Sequence, residues 1–338
     1  MPSRGVEGHW GPDRLGRREN QVRRSLVGLL AVVLGLSLIG ASCGSDDDSS
    51  TKAAFIYLGP PGDAGWTWAQ DQGRKAAAEA TGAETAYVES VPEGTADFGN
   101  YVRDFIDQGF NLIVGGSFGY MDDMEALAAE YPDVVFDHIS GYKANGSNFG
   151  NSFGRMYEPR YLSGMVAGSA TSSNLIGYVA AFPIPEVIRG INAFTLGVRE
   201  TNPDAEVEVV WTSTWFDPVV EGDSAQAILD KGADVIAMHQ DSTAAGEKAE
   251  AAGARWVAYN SDMSAHAPAA HLTAPVWNWG PRFTELIEQT AAGTYEGGYY
   301  WGSMADGVVD LAPIADDVDR SEERRAGKGG RARGAPSH

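Results

Sequence analysis

The sequence predicts an α/β protein made of two lobes, each a doubly wound parallel sheet. Short apolar segments alternate with helical patterns over about residues 53–314, and the alternation restarts near residue 175. The segments are apolar almost throughout, which is typical of parallel strands buried on both faces. A region of about 260 residues is also long for one core and suits two.

The first series runs from residue 53 to the polar segment Thr171–Asn174. We assign this N-terminal lobe residues 53–172 and expect about 272–300 to complete it. Its predicted strands are 53–58, 85–88, 111–114 and 134–139, and its predicted helices are 67–81, 97–108, 121–130 and 157–169.

The second series is of similar size, and two βαβ series in succession predict two doubly wound domains. We assign the C-terminal lobe residues 173–271, completed by about 301–314. Its predicted strands are 175–180, 207–211, 235–238 and 256–259, and its predicted helices are 185–201, 220–231 and 242–252.

The N-terminal segment is typical of a secretory signal. Four arginines precede an apolar run over 26–39, small residues follow at 40–42, and Cys43 is the only cysteine of the chain. The run has about 14 residues, fewer than the roughly 20 that span a bilayer. We therefore expect a signal peptide at 1–42, lipidation of Cys43 and an extracytoplasmic protein anchored to the cell membrane. The alternative is a signal anchor with an incidental cysteine.

Polar segments flank the predicted lobes. Residues 43–52 are rich in Ser and Asp and predict a flexible linker after the lipid. Residues 315–338 become abruptly basic from Arg320 and lack apolar periodicity. We expect a disordered or aberrant tail there, the alternative being a basic arm for anionic surfaces.

The charge balance limits the partners. The net charge is −21, and the ends conceal a still more acidic body, since residues 1–42 contain six Arg against three acidic residues and 320–338 contain six Lys or Arg against two Glu. Such a body repels phosphate backbones, so nucleic acid is excluded as a partner and an anionic ligand is not the first expectation.

The loops after the predicted strands combine aromatic rings with carboxylates and amides, almost without Lys or Arg. Ligands of open parallel sheets bind at these strand ends. Aromatic faces stack on planar rings, and Asp or Asn reads polar edges. A neutral planar heterocycle fits best, although sugars also stack on Trp and any single Trp could instead fill the core. The candidate ligand-binding residues are Asp63, Trp66, Phe118, Asp122, Phe182, Glu186, Trp215, Asp241, Asp262, Trp277 and Asn278.

Catalytic motifs give a weaker alternative. Residues 115–119 match the G-x-S-x-G nucleophile pattern between a strand and a helix, so a hydrolase with Ser117 as nucleophile is possible. The available bases, His239, His266 and His271, have no local context that pairs them with an Asp in the expected order. No zinc-type spacing or phosphate-binding glycine loop is found, so we expect no metal, no cofactor and no catalytic residue.

Three motifs resemble the basic membrane protein (BMP) family of ABC-importer substrate-binding lipoproteins. They are Gly-Asp-Ala-Gly-Trp-Thr-Trp at 62–68, Tyr-Glu-Pro-Arg-Tyr-Leu-Ser-Gly-Met-Val-Ala-Gly at 157–168, and the long segment 176–197. The resemblance covers about residues 53–314. It implies a type I periplasmic-binding-protein fold, with three chain crossovers between the lobes and the ligand in the cleft.

The resemblance also implies a ligand class and site residues. Family ligands include purine nucleosides, and the segments 215–218 and 278–281 look like those of members that take purine bases such as adenine. Where relatives carry a ligand-contacting Lys, this chain has Trp277, which favours a free base over a nucleoside. Family members also continue past Pro313 with a further helix and strand that this chain lacks. The positions carried over as ligand contacts are Asp63, Trp66, Phe118, Asp122, Trp215 and Asp241.

We therefore expect a monomeric, lipid-anchored receptor that closes around a purine base and passes it to an ABC permease. Alternatives of the same fold are a nucleoside or sugar receptor, or a receptor that serves a membrane sensor. The alternative from a different class is the Ser117 hydrolase.

Overall fold

Two parallel β-sheets organise residues 51–318, the part of the protein that the computed structural model describes. The first has six strands in the order β12-β5-β4-β3-β1-β2, and the second has five in the order β10-β9-β8-β6-β7. Their strands are parallel throughout, and β11 and β13 form a separate antiparallel pair. The predicted α/β architecture of two parallel-sheet lobes is confirmed.

The elements follow the predicted alternation closely. The strands are β1 Lys52–Ile56, β2 Glu84–Val88, β3 Leu112–Gly115, β4 Val135–Ile139, β5 Phe149–Gly154, β6 Leu175–Ala180, β7 Glu206–Trp211, β8 Val235–His239, β9 Arg255–Val257, β10 His271–Thr273, β11 Pro275–Trp277, β12 Tyr299–Gly302 and β13 Val309–Leu311. The helices are α1 Trp66–Thr81, α2 Asp97–Asp107, α3 Met121–Glu130, α4 Tyr157–Ala170, α5 Pro185–Thr201, α6 Pro218–Leu229, α7 Ala244–Ala251 and α8 Gly280–Ala292.

Local chemistry explains several helix ends. Asp217 caps α6 by accepting hydrogen bonds from the amides of Val219 and Val220, and Pro218 supplies the fixed φ that suits a first helical residue. α1 ends at Gly82, which takes a left-handed φ of 71° that costs glycine little. α6 begins two residues before its predicted start, and α1 ends at the predicted residue.

The chain passes between the two sheets three times, as the predicted fold requires. It leaves the first sheet after β5, returns to it through β11 and α8, and leaves it again after β12. β11 and β13 pair antiparallel, with Pro275 opposite Leu311 and Trp277 opposite Val309. The last two crossings are thereby tied into one ribbon, while the first crosses at residues 155–156.

Helix α4 packs against α5 in the second half of the molecule, although the predicted boundary places it in the N-terminal lobe. Small residues permit this packing, because a methyl group added at Gly164 or Gly197 would overlap the backbone of the facing helix. The contacts therefore favour a lobe boundary before α4, at residues 155–156, rather than at 172. Sequence order alone could not show on which sheet this helix would pack.

The returning C-terminal segments also differ in detail from the predicted assignment. β10 joins the second sheet and β12 joins the first, so residues 272–273 and 301–302 lie on the opposite sheet from the one expected. β5 has the sequence Phe-Gly-Asn-Ser-Phe-Gly. Its two glycines lower its strand propensity, so the sequence did not predict this strand. Asp317 forms an ion pair with Arg255 at 2.6 Å, so the segment 315–318 is attached to the second lobe.

The predicted signal peptide, Cys43 and most of the linker and basic tail lie outside the described residues. Lys52, the last residue of the predicted linker, is instead the first residue of β1. Among residues 51–318, no helix combines the length and hydrophobicity needed to cross a membrane.

Candidate functional site

A cavity lies between the two lobes, at the carboxyl ends of strands from both sheets. Its free space is about 350 Å³, including the solvent at its mouth. The cavity is lined by Leu58, Trp66, Ser117, Phe118, Ser140, Glu186, Trp215, His239, Asp241, Tyr259 and Asn260.

The sheet topology brings these residues together. Ser117 follows β3 and Ser140 follows β4, on the N-terminal side of the cleft. On the opposite side His239 ends β8, and Tyr259 and Asn260 come just after β9. Because parallel strands all end at one edge of a sheet, residues far apart in sequence share one wall.

Aromatic rings form much of the cavity wall, and each is fixed by its neighbours. Trp66 donates its Nε1–H to the carbonyl oxygen of Gly116 at 2.7 Å. Trp215 packs against Phe182 with ring centroids 4.9 Å apart, and His239 packs against Tyr259 at 4.5 Å. The wall can therefore present flat faces without reordering its side chains.

Hydrogen bonds connect the lobes across the cleft. Trp215 donates its Nε1–H to Glu93 Oε2 at 3.3 Å, while Glu93 Oε1 accepts from Ser117 Oγ at 2.5 Å. Ser140 Oγ donates to Glu186 Oε2, and Ser261 Oγ donates to the carbonyl oxygen of Ala64. These contacts describe a closed arrangement of the two lobes.

Two titratable groups at the cavity favour their neutral forms. Burial raises the pKa of Glu186 to about 7, and the hydrogen bond from Ser140 only partly offsets this. Burial, with a smaller contribution from the charge of Arg160, lowers the pKa of His239 well below its usual range. Glu186 Oε1 and His239 Nε2 lie 3.9 Å apart, so at pH values below the Glu186 pKa of about 7 they form a largely uncharged polar pair.

Asp241 is a second buried carboxyl group of the wall. Burial raises its pKa well above the usual range, and the charges of Asp63 and Glu221 raise it further. Asn260 Nδ2 donates to Asp241 Oδ1 at 2.8 Å, and the Trp66 amide also donates to it. An ionised carboxylate can accept a hydrogen bond from a polar ligand edge, and a protonated carboxyl group can also donate one.

Five of the predicted ligand-binding residues line this cavity: Trp66, Phe118, Glu186, Trp215 and Asp241. They come from both lobes, as a ligand held between lobes requires. Their role as ligand contacts stays a prediction.

Two of the predicted residues, both on the first lobe, make contacts outside the cavity. Both oxygens of Asp63 accept hydrogen bonds from α1, at 2.8 Å from the Gly65 amide and 2.9 Å from those of Thr67 and Trp68. Asp122 is exposed and pairs with Lys143 at 2.9 Å. Neither side chain lines the cavity, so Asp63 supports α1 and Asp122 is a surface residue.

The other predicted residues lie behind the wall or on the surface. Phe182 supports Trp215, and Trp277 donates its Nε1–H to Asn260 Oδ1 at 3.1 Å. Asn278 bonds the carbonyl oxygen of Gly307 at 3.0 Å, and Asp262 is about half exposed and caps a turn at Ser264. Trp277 is not among the residues that line the cavity, and its predicted effect on ribose binding stays a prediction.

The predicted set omits five polar wall residues: Ser117, Ser140, His239, Tyr259 and Asn260. All lie at or just after the end of a parallel strand, which is the signal that could have identified them. Ser140 and Tyr259 sit beside apolar strand residues, so their types alone suggested core or loop positions.

Ser117 is held by neighbours that do not form a triad. Its Oγ donates to Glu93, and the ring of His138 bonds the Ser117 carbonyl oxygen at 2.7 Å. The three histidines considered as bases are placed otherwise, since His266 is exposed, His271 packs near Trp256 and His239 belongs to the facing wall. Within residues 51–318 there is also no group of three His, Cys, Asp or Glu placed to hold a metal.

Comparison with known proteins assigns the class. The fold is similar to that of a solute-binding protein of an ABC transporter system from Conexibacter woesei, with a TM-score of 0.67 and 22% identity over 85% of this chain and 98% of that one. This likeness shows the fold, which is two lobes around a cleft at the strand ends.

The sequence defines the family. Residues 50–327 match the Bmp family model, described as ABC transporter substrate-binding protein PnrA-like, and the chain belongs to this family. It is 40% identical over 300 residues to a purine-binding protein of Brucella abortus, covering 87% of this chain and 84% of the relative. It is 42% identical over 292 residues to a putative ABC transporter glucose-binding protein of Haloferax volcanii, covering 83% and 73%.

The family resemblance drawn from the sequence is thereby confirmed. The protein is a substrate-binding protein of an ABC importer, which acts outside the cytoplasm with a solute ligand and a permease as partners. Its family is one of ABC transporter substrate-binding proteins and not of enzymes, so the hydrolase alternative is set aside.

The buried carboxyl of Glu186 predicts a specific pH dependence of stability. Because its pKa is about 7 in the folded protein and about 4.5 otherwise, folding favours the protonated form. Its contribution is present at low pH and is lost as pH rises from about 4.5 to about 7. The free energy of unfolding should therefore fall between pH 5 and pH 8 by up to about 2 kcal/mol more in the wild type than in Glu186→Gln.

Urea denaturation at the two pH values measures this difference. Glu200→Gln, on the exposed end of the same helix, is the matched control and should follow the wild type. An identical pH dependence in wild type and Glu186→Gln would show that Glu186 is hydrated in solution.

Proposed function

We propose that this protein binds a neutral purine base between its lobes and delivers it to an ABC permease. The observation that carries the proposal is the cavity wall, in which Trp66, Phe118 and Trp215 supply aromatic faces beside polar groups. Stacking on an aromatic face contributes roughly 1–3 kcal/mol per base. The name of the Brucella relative, a purine-binding protein, supports the same ligand class.

The charges around the cavity favour a neutral ligand. Glu186 and Asp241 line the wall, and Glu93 lies directly behind Ser117. No Lys or Arg is among the residues that line this cavity, so an anion would be desolvated there without a cationic partner. A purine base instead carries donors and acceptors that Asp241 and Asn260 can pair.

A sugar is the second candidate. The Haloferax relative is named as a putative glucose-binding protein and is as similar in sequence as the purine-binding one. Sugar rings also stack on tryptophan, and the same carboxyl and amide groups can bind hydroxyls. A nucleoside would combine both kinds of contact, and a 22% identical Lactococcus relative is named as nucleoside-binding.

The mechanism we propose is hinge closure. The ribbon of β11 and β13, together with residues 155–156, connects lobes that meet through Glu93–Trp215 and Ser140–Glu186. A ligand that touches both walls stabilises the closed state by its differential affinity for it. The ceiling of about −1.5 kcal/mol per atom gives a ten-atom base up to roughly −15 kcal/mol, so submicromolar binding needs no ionic contact.

Titration calorimetry of the purified protein tests the ligand class. We expect adenine, hypoxanthine or guanine to bind more tightly than the matching nucleosides and more tightly than glucose. Trp215→Ala should weaken base binding by at least about 1 kcal/mol because a stacking face is lost.

Trp68→Ala is the matched control, since Trp68 is 39% exposed and does not line the cavity. Tighter binding of glucose than of every base would overturn the purine proposal in favour of the sugar.

Closure predicts a second result, at Gly65. A methyl group there would lie 2.5 Å from the backbone oxygen of Asp241 and 2.7 Å from its Cα, in the opposite wall. Gly65→Ala should therefore hold the lobes apart and weaken ligand binding by at least tenfold. Small-angle scattering should show that ligand no longer compacts the variant.

Gly62→Ala is the matched control for Gly65→Ala, since its added methyl group would have no neighbour within 4 Å. If Gly65→Ala binds and compacts like the wild type, the closure described here is not the liganded state.

We further propose that Cys43 carries the lipid that anchors the protein outside the cell membrane, and that the chain acts as a monomer. Residue 43 lies outside the described residues, and the support is the sequence pattern around it. Cys43→Ser should move the protein from the membrane fraction to the soluble fraction when expressed in a bacterial host. An unchanged membrane fraction would indicate an uncleaved signal anchor instead.

A further inference from the structure

A second compartment opens behind the main cavity, towards helices α4 and α5. It encloses about 260 Å³ including its opening, and it shares Glu186, His239 and Tyr259 with the main cavity. The compartment therefore continues the proposed ligand site towards the interior. Its remaining lining residues are Phe153, Gly154, Met156, Tyr157, Arg160, Arg189 and Gly190.

Arg160 is the notable group of this compartment. It is fully buried, and its Nη1 donates to the carbonyl oxygen of Met238 at 2.7 Å. Its guanidinium lies over the ring of Tyr259, 3.6 Å from the centroid, which fixes its plane. Its Nε and Nη2 have no hydrogen-bond partner among residues 51–318.

The two unpaired nitrogens lie on the same edge of the guanidinium. Nε–H and one Nη2–H point in parallel, so this edge binds two adjacent acceptors at once. Buried donors without partners cost free energy, and an arginine stays charged at any physiological pH. The edge is therefore suited to a ligand group with two neighbouring acceptor atoms.

Two kinds of ligand carry such a pair: a carboxylate, and the N7/O6 edge of a 6-oxopurine, which arginine reads in nucleic acids. The surroundings favour the neutral edge. The strongly acidic body of the protein repels an approaching anion, whereas a neutral base meets no such barrier. Adenine offers N7 but has an amino donor at the neighbouring position, so it cannot satisfy both nitrogens.

We infer that the free edge of Arg160 reads the N7/O6 edge of a 6-oxopurine, so that the protein prefers hypoxanthine or guanine over adenine. This inference rests on the proposed purine-base function. It replaces the adenine-like ligand expected from the sequence by a 6-oxopurine, because the sequence-based expectation did not include a buried arginine at the site.

Gly190 keeps the compartment open beside this edge. It lies in α5, and an added methyl group would be 3.7 Å from Arg160 Nε and 3.8 Å from its Cγ. That spacing is ordinary contact without a clash, and alanine is a better helix former than glycine. Gly190→Ala should therefore fold normally while filling space next to the reading edge.

Calorimetry with hypoxanthine and adenine tests the inference on the wild type, Arg160→Lys and Gly190→Ala. The wild type should bind hypoxanthine about 5- to 100-fold more tightly than adenine, the range expected for a bidentate arginine pair. Arg160→Lys keeps the charge but loses the fork, so the preference should fall towards one. Gly190→Ala should reduce hypoxanthine affinity more than adenine affinity, and thermal melting of each variant checks its fold.

The possible outcomes distinguish a failure of this inference from a failure of the purine-base proposal. Equal or tighter binding of adenine by the wild type overturns the inference and leaves the purine proposal intact, whereas binding of neither base overturns both. A hypoxanthine preference that survives in both variants would give Arg160 a purely structural role. Tighter binding of purine-6-carboxylate than of hypoxanthine would identify the acceptor pair as a carboxylate, also against the inference. If Arg160→Lys does not fold, the hypoxanthine and adenine affinities of Gly190→Ala alone test the role of Arg160.

Discussion

Desolvation of polar side chains between the lobes is the constraint on which the site depends. When the lobes meet, Glu186, Asp241 and Arg160 lie away from water, and each must find a partner or change its charge. Ser140 and Asn260 partly satisfy the two carboxyl groups, and Tyr259 covers one face of the arginine. The remaining free donors and acceptors face the cavity, so the same burial that costs free energy creates the polar selectivity of the cleft.

Close backbone approach is the second requirement, and small residues provide it. Gly65 lets the start of α1 touch the loop of Asp241 across the cleft. Gly164 and Gly197 let α4 and α5 approach closely, which places Arg160 of α4 beside the cavity. Closure and specificity thus depend on positions that themselves contribute no chemistry. Substitutions at such glycines would alter ligand binding without touching the ligand.

The relatives agree on the class of protein and differ in the solute they are named for. A purine-binding and a glucose-binding relative are almost equally similar to this chain. Stacking on tryptophan serves either ligand, so the aromatic wall by itself does not separate them. The buried groups at the back of the cleft carry more discrimination, because an unpaired buried donor or acceptor rejects a ligand that lacks its complement.

The sequence by itself determined the two-lobed parallel fold, the family and five residues of the cavity wall. Strand periodicity and the loop motifs are local signals, so Trp66, Trp215 and Asp241 could be placed at strand ends. The motif of Asp63 resembles a ligand contact, and only the structure shows that its carboxyl group also accepts hydrogen bonds at the start of α1. Only the tertiary structure decided that α4 packs with the second lobe and that Arg160, in the first turn of α4, reaches the cleft. These facts depend on contacts between residues far apart in sequence, which no local pattern records.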